Sequence, residues 1–249
     1  MYEIPKPPPS PPPHPTLDEL LKHKNDKPRW SDLDYLVNYS PKIKDNTPDW
    51  KQCKLLGSLL DTESDIKRRK ILTIDVMKKM ENIFRSARIS IALKIRCFNT
   101  YVSSVFLYNS ELWCMNKSIS EVIDAFHRKQ LRYAIGVRYP RTMSNEVLYE
   151  VTKVEKWSRT IKRRRLNWLG HLMRLPQNTA ARLALNEHLR TTKNKQGRPK
   201  TTWMKTIKKD LEIIGIIINL ENRVETINIL ENITKEREEW RTRVKLLMQ

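Results

Sequence analysis

Apolar positions from residue 64 onward recur mostly at the spacing of α-helices. In residues 64–87 they lie along one side of a helix, at Ile66, Ile74, Met77, Met80, Ile83 and Phe84. Similar spacing predicts further helices at 91–113, 119–136, 144–151, 156–175, 179–189, 201–214 and 235–248. Ser64 is the predicted cap of the first helix, and Gly136 is the predicted stop of the third. The pattern predicts a mainly α fold.

Two of these helices differ in how their apolar residues are distributed. Residues 91–113 are apolar almost all round, which predicts a central helix; these side chains include Phe98, Val102, Val105, Phe106 and Leu112. Residues 156–175 are amphipathic, and their apolar face consists of Trp157, Ile161, Trp168, Leu169 and Leu172. Largely opposite lie Arg159, Lys162, Arg163 and Asn167. The helix at 156–175 is therefore predicted to carry cations on the face that points away from the core.

Two apolar segments do not follow the helical pattern. KLLGSLLD, residues 54–61, is a short apolar run between charges and turn formers, which predicts a buried strand or the edge of a hairpin. Residues 214–233 are apolar and rich in β-branched side chains, and both a strand and a helix are compatible with them.

Prolines separate the first part of the chain from the rest. Residues 1–50 contain eleven of the fourteen prolines, and residues 5–15 are predicted to be extended polyproline chain. We expect residues 1–48 to be a disordered segment, with 5–15 either a solvated tail or a ligand for a domain that binds Pro-rich peptides. Two further regions are predicted, at 49–140 and at 141–249, with a flexible linker at 190–200.

Charge indicates the class of partner. The formal net charge is +20, and residues 151–205 hold 15 Lys and Arg against 2 Asp and Glu. Such an excess predicts a polyanionic partner, with nucleic acid first and an acidic membrane surface second. No run of eighteen apolar residues is present, and the first residues lack a signal pattern. We therefore expect an intracellular protein, nuclear or cytoplasmic, that does not enter a membrane.

Candidate chemistry at cysteine and histidine is sparse. The three cysteines, Cys53, Cys97 and Cys114, are isolated and odd in number, which predicts reduced thiols. His171 and His188 have no third ligand near them in sequence. We expect no metal site, no cofactor and no catalytic residue in the chain.

Two runs of four consecutive cations are the main candidates for binding phosphate. They are Lys67, Arg68, Arg69 and Lys70 near the start of one helix, and Lys162, Arg163, Arg164 and Arg165 within another. Arg165 falls near the apolar face beside Trp168, and this position favours a role in phosphate binding over a structural one. Trp157 and Trp168 are compatible with stacking on bases, but their helical spacing favours core packing.

A third basic candidate is GRPK, residues 197–200, which contains the tripeptide of a minor-groove AT-hook. Gln196 occupies the position where a full hook has a second arginine. Thr201 and Thr202 follow at once and predict a helix start. We therefore expect Arg198 and Lys200 to contact phosphates without sequence preference, with an A·T-reading arm as the alternative.

Four blocks together resemble a known family. WKQCKLLGSLLDTESDIKRRK (50–70), FLYNSELW (106–113), RRRLNWLGHLMRLP (163–176) and GRPKTTW (197–203) look like the C-terminal end of LINE-type, non-LTR retrotransposon reverse transcriptases, with the RTE-like clade closest. The resemblance covers roughly residues 50–248. It implies that Leu56, Gly57 and Ser58 match the primer grip at the end of the palm. It also implies that a thumb-like helical bundle and a basic helical region follow, with Lys67–Lys70 near the primer–template duplex.

The catalytic part of that family is not found in these residues. An RNA-directed DNA polymerase needs paired aspartates that hold two metal ions, and no such box is present. Asp32 and Asp34 lie in a polar, Pro-rich stretch without a preceding strand. We therefore expect a nucleic-acid-binding fragment without enzymatic activity of its own, whose partner is RNA, DNA or an RNA–DNA hybrid. The alternative is a retrotransposon-derived nuclear or chromatin interaction protein.

Overall fold

The computed structural model describes residues 53–190 and 201–246. The predictions for the Pro-rich segment 1–48 and for the linker, with Arg198 and Lys200, concern residues outside this range. Two short strands come first, β1 (Lys54–Leu55) and β2 (Ser58–Leu59). The helices that follow are α1 (Thr62–Lys79), α2 (Glu81–Arg85), α3 (Ile91–Cys97), α4 (Ser104–Phe106), α5 (Lys117–Ala134), α6 (Asn145–Thr152), α7 (Trp157–Arg174), α8 (Ala180–Arg190), α9 (Trp203–Ile213), α10 (Arg223–Thr234) and α11 (Arg237–Lys245). The prediction of a mainly α fold is confirmed.

Side-chain caps explain where several helices begin. Asp61 caps α1 and accepts hydrogen bonds from the backbone N–H of Ser64 at 2.9 Å and from its hydroxyl at 2.7 Å. The predicted Ser64 cap is therefore wrong, because Ser64 lies inside the first turn and donates to the true cap. Ser144 caps α6, and Thr202 caps α9 where a helix start was predicted. Gly136, with φ +82°, follows the end of α5.

The predicted helix at 91–113 is shorter than expected and changes its winding. α3 continues through a π-helical segment, Phe98–Ser103, into α4. Asn109 then adopts a left-handed conformation with φ 58°, which interrupts the helix before a 3₁₀ turn at Ser110–Leu112. Phe98, Val102 and Phe106 are fully buried, so the predicted central position is confirmed. The prediction is wrong for Leu112, which is exposed beyond the helix end.

Two apolar cores meet along α7. The first contains Phe98, Phe106 and Trp113 with side chains of α1, α5 and α6, and the second is formed mainly by α8, α9, α10 and α11. Trp157 and Ile161 belong to the first core, whereas Leu166, Leu169, Leu172 and Met173 belong to the second. The boundary between the two cores therefore lies inside one helix.

The segment 54–61 is a hairpin that is largely exposed. Lys54 pairs with Leu59, and Leu55 pairs with Ser58, in an antiparallel register. Leu56 (φ 47°) and Gly57 (φ 82°) form the turn in left-handed conformations, as short hairpin turns require. Leu55, Leu56 and Leu60 are exposed, so the expectation of a buried strand is wrong and that of a hairpin is confirmed.

The segment 214–233 is neither a continuous strand nor a continuous helix. Residues 214–222 form a loop in which Ile216 and Ile218 are buried while Ile217 points outward. Asn222 then caps α10, which carries Leu230 into the second core. The β-branched composition therefore reflects the buried loop positions as well as the helix.

Candidate nucleic-acid interface

Residues 106–115, which run from the end of α4 through a loop and a 3₁₀ turn toward α5, are called the connector below. The Tyr108 hydroxyl donates to the carbonyl oxygen of Leu56 in the hairpin, at 2.9 Å. The indole N–H of Trp113 donates to Asp65 of α1, also at 2.9 Å. The connector therefore holds the hairpin and the start of α1 together.

The same connector receives the two downstream blocks. Arg164 of α7 donates to the carbonyl oxygen of Leu107 at 2.6 Å. The indole N–H of Trp203, at the start of α9, donates to the carbonyl oxygen of Glu111 at 2.9 Å. Residues from the other three blocks of the sequence resemblance thus contact the connector, which contains the second block, from 48 to 92 positions away in the chain.

The first cation run holds the hairpin in place. Arg68 and Arg69 both donate to the carbonyl oxygen of Gly57, at 2.7 and 2.8 Å, and Arg69 also donates to the Ser58 hydroxyl at 2.8 Å. The Arg69 guanidinium lies 4.6 Å from the centre of the Tyr108 ring and 3.8 Å from Asp65. Burial lowers the pKa of Arg69, with Asp65 opposing this effect.

Arg69 is buried, and this corrects its prediction as a phosphate contact, because its guanidinium already satisfies the turn. Lys67 is exposed, so its ammonium group can reach a ligand. Lys70 is half-buried with its Nζ atom 5.5 Å from the centre of the Phe126 ring, and burial lowers its pKa. The residues matching the primer grip form the turn itself, with Leu56 exposed and Ser58 buried.

In the second run, Arg165 is buried between the two cores. It forms an ion pair with Asp210 of α9, and both side chains are buried. Burial raises the pKa of Asp210, although the charges of Arg165 and Lys162 oppose this shift. The prediction that Arg165 binds phosphate is therefore corrected. An arginine next to the apolar face of α7 is there because α9 supplies its carboxylate.

The other cations of the second run are closer to the surface. Arg164 is half-buried through its bond to the connector, and Arg163 pairs with Glu155 at 2.7 Å. Lys162 and Arg163 follow Arg159 by three and four positions, which places each of them beside Arg159 on one side of α7. These three half-buried residues, called the α7 cation patch below, are the predicted site residues that the structure brings together on the helix surface.

The aromatic candidates divide between the core and the surface. Trp157 is buried and stacks on Phe106, with ring centres 4.2 Å apart, and on His127 at 4.3 Å. Core packing is thus confirmed for Trp157. Trp168 is half-buried, and its ring centre lies 5.2 Å from that of exposed His171. His127 is fully buried, and burial lowers its pKa to about 3, so its imidazole is neutral.

Sequence reasoning missed the carboxylates and tryptophans that organise the site. Asp65 precedes Arg69 by four positions in the same helix, so that spacing could have indicated their pairing. Asp210 lies 45 positions from Arg165, and no local signal links them. Trp113 and Trp203 bind the connector through their indole N–H groups, a role that apolar periodicity does not reveal.

Neither a cluster of metal ligands nor a membrane-spanning helix is found among the residues that the structure describes. There, no group of three or more His, Cys, Asp or Glu side chains is arranged to hold a metal ion. Nor does residue range 53–190 or 201–246 contain a helix long and apolar enough to cross a membrane. Cys53, Cys97 and Cys114 are free thiols.

The chain is similar to one curated protein of transposon origin. No protein-family model matches the chain, and no solved structure matches it. An uncharacterized transposon-derived protein of Caenorhabditis elegans is 24% identical over 152 residues, which are 59% of this chain and 52% of that protein. The chain therefore spans about half the length of this relative. The similarity supports a transposon origin for the chain.

Proposed function

We propose that this chain is the nucleic-acid-binding C-terminal part of a LINE-type reverse transcriptase, of the RTE-like clade. It binds RNA, DNA or their hybrid and has no polymerase activity by itself. The observation that carries this proposal is the convergence of the four sequence blocks on the connector. The four blocks are separate in the sequence, but hydrogen bonds join residues of the first, third and fourth blocks to the connector, which contains the second.

Phosphate recognition is assigned to the α7 cation patch, supported by exposed Lys67 of α1. Arg159, Lys162 and Arg163 are fixed to a helix that is anchored in both cores, so little backbone freedom remains to be lost on binding. Cations that contact phosphates read the backbone and not the bases. Binding should therefore show little sequence preference and should weaken steeply with salt.

The test compares two triple variants with equal loss of charge. The first is R159Q/K162Q/R163Q, which removes the α7 cation patch. The second is K235Q/R243Q/K245Q, which removes three exposed cations on and beside α11. Affinities for an A·T-rich duplex, a G·C-rich duplex and an RNA–DNA hybrid are measured across a salt series, with thermal unfolding as the check of folding.

The first variant should weaken binding to all three duplexes, and its slope of log affinity against log salt should be shallower by about 3, roughly 0.9 per phosphate contact. The second variant should bind nearly as the unmodified chain does. Equal losses in both variants would mean that only net charge matters and would overturn the assignment to α7.

A second function is favoured by one observation, the exposed hairpin. Leu55, Leu56 and Leu60 present apolar side chains to solvent at 61%, 80% and 53% exposure. Such a surface suits a protein partner, as expected of a retrotransposon-derived chromatin interaction protein. Binding through it would be insensitive to salt and would be lost in L56S/L60S, whereas nucleic-acid binding through α7 would not change.

A further inference from the structure

The loop between α5 and α6, residues 137–143, presents an aromatic ring to solvent. Tyr139 is 96% exposed, compared with 56% for Tyr101 and 46% for Tyr108. A tyrosine ring is a large apolar surface that proteins usually cover at least in part. Val137 and Met143, at the two ends of the loop, are half-buried, so the exposure is greatest in the middle of the loop.

The loop is anchored at both ends. The backbone N–H of Val137 donates to the carbonyl oxygen of Arg132 at 2.9 Å, and that of Arg141 donates to the carbonyl oxygen of Arg138 at 2.9 Å. The Arg132 guanidinium donates to the carbonyl oxygen of Met143 at 2.9 Å and to the Asn145 side chain at 2.8 Å. The ring of Tyr139 is thus held out on a backbone of defined conformation, which reduces the entropy lost when a ligand covers it.

Cations lie on both sides of Tyr139 in the sequence of the loop. Arg138 and Arg141 flank it and are exposed, and the Arg138 guanidinium lies 5.0 Å from the centre of the Tyr133 ring. Residues 125–145 contain five Lys and Arg and no Asp or Glu. The loop therefore combines one aromatic face with positive charge on both sides.

We propose that this loop binds unpaired nucleotides, with Tyr139 stacking on a base and with Arg138 and Arg141 contacting the phosphates on either side. Sites for single-stranded nucleic acid combine aromatic rings that stack on bases with cations that contact the backbone. A duplex offers no free base face, because its bases already stack on one another. The inference rests on the proposed function for the class of ligand but uses a different site from the α7 cation patch.

An anionic membrane surface also attracts aromatic and cationic side chains. Insertion into a membrane requires a sizeable apolar area, and Tyr139 is the one exposed aromatic side chain in residues 137–143. A single ring suits a base better than it suits a lipid layer. Vesicle binding is therefore one arm of the test.

The experiment uses the full chain and four ligands. These are an oligothymidine strand, a strand of equal length whose sugars lack bases, a duplex, and vesicles of phosphatidylserine and phosphatidylcholine. The variants are Tyr139→Ala, Tyr139→Phe, which keeps the ring, and Tyr101→Ala, a matched exposed tyrosine on the π-helical segment. Thermal unfolding confirms that each variant is folded.

Tyr139→Ala should weaken binding to oligothymidine by about five- to a hundredfold, the effect of losing one stacked base. Binding to the base-free strand and to the duplex should change little, and both Tyr139→Phe and Tyr101→Ala should bind as the unmodified chain does.

Equal effects of Tyr139→Ala on the strand with bases and the strand without them would overturn the proposal, as would unchanged binding to both. Vesicle binding that depends on Tyr139 would overturn it in favour of a membrane surface. If R159Q/K162Q/R163Q keeps duplex affinity while Tyr139→Ala loses affinity for the single strand, the α7 assignment fails and this proposal stands.

Discussion

The two runs of four cations look alike in sequence and are built into the fold in parallel ways. In each run one arginine donates to a backbone carbonyl, Arg68 to Gly57 and Arg164 to Leu107. In each, the next arginine is buried beside a carboxylate, Arg69 with Asp65 and Arg165 with Asp210. Consecutive residues on a helix point about 100° apart, so a run of four cannot face solvent as a whole.

The difference between the runs lies in how far the buried arginine reaches. Arg69 pairs with a carboxylate one turn away in its own helix and anchors a local hairpin. Arg165 pairs with a carboxylate 45 positions away and lies where the two cores meet. Similar runs of cations therefore have different structural roles. The first holds the hairpin against α1, and the second links α7 to α9 where the two cores meet.

The largest effect should come from breaking the Arg165–Asp210 pair. Arg165→Met or Asp210→Leu alone should lower the free energy of unfolding by about 3–5 kcal/mol, because each leaves a buried charge without its partner. The double variant R165M/D210L should lose clearly less than either single variant. Urea denaturation measures all three, and a double variant whose loss equals the sum of the single losses would contradict the pairing.

Arg69→Met should have a smaller and more local effect. It removes the donors to Gly57 and Ser58, and we expect a loss of about 2–3 kcal/mol because these hydrogen bonds come from a charged group. Hydrogen exchange should accelerate in residues 54–59 before it does in α7. Lys67→Met, the same replacement at an exposed position two residues away, is the control and should leave stability and exchange unchanged.

The pH dependence of the free energy of unfolding should reveal a buried histidine in the first core. His127 belongs to the first core region, and its pKa of about 3 lies below its ordinary 6.5. The unfolded chain therefore binds a proton that the folded chain excludes, so stability should fall as pH drops below about 6.5. From pH 7.5 to 5 this group should contribute a loss of roughly 2 kcal/mol.

His127→Phe keeps a flat ring against Phe98 and Trp157 and should flatten the dependence of stability on pH. Denaturation midpoints of both chains at the two pH values test the prediction. The same drop in stability in His127→Phe would show that other groups cause it.

How much the sequence revealed depended on the range of each contact. Helical spacing and caps depend on neighbours within one or two turns, and they located α5, α6 and α9 well. The fully buried Phe98 and Phe106 followed from the same pattern. The hairpin was predicted as one of two possibilities, but its exposure to solvent was not. An apolar composition does not reveal whether another element packs against the segment.

The burial of Arg165 could not be predicted because its partner comes from another helix. Its position near the apolar face of α7 was correctly identified, but phosphate and Asp210 are both anions that would satisfy it there. The hydrogen bonds to the connector could not be predicted either, because Leu107 and Glu111 accept them through backbone carbonyl oxygens, which every residue has. Tyr139 gave no signal in the sequence, because exposure belongs to the loop and not to the residue.

The central claim is that nucleic acid lies against the α7 cation patch, and lysine footprinting tests it most directly. The chain is acetylated briefly with and without an RNA–DNA hybrid, and the modified lysines are quantified by mass spectrometry. The hybrid should slow acetylation of Lys162, and more weakly that of Lys67, at low salt but not at high salt. Lys235 and Lys245, exposed beside and on α11, should react equally in both samples. Protection of Lys235 and Lys245 with Lys162 unprotected would contradict the account.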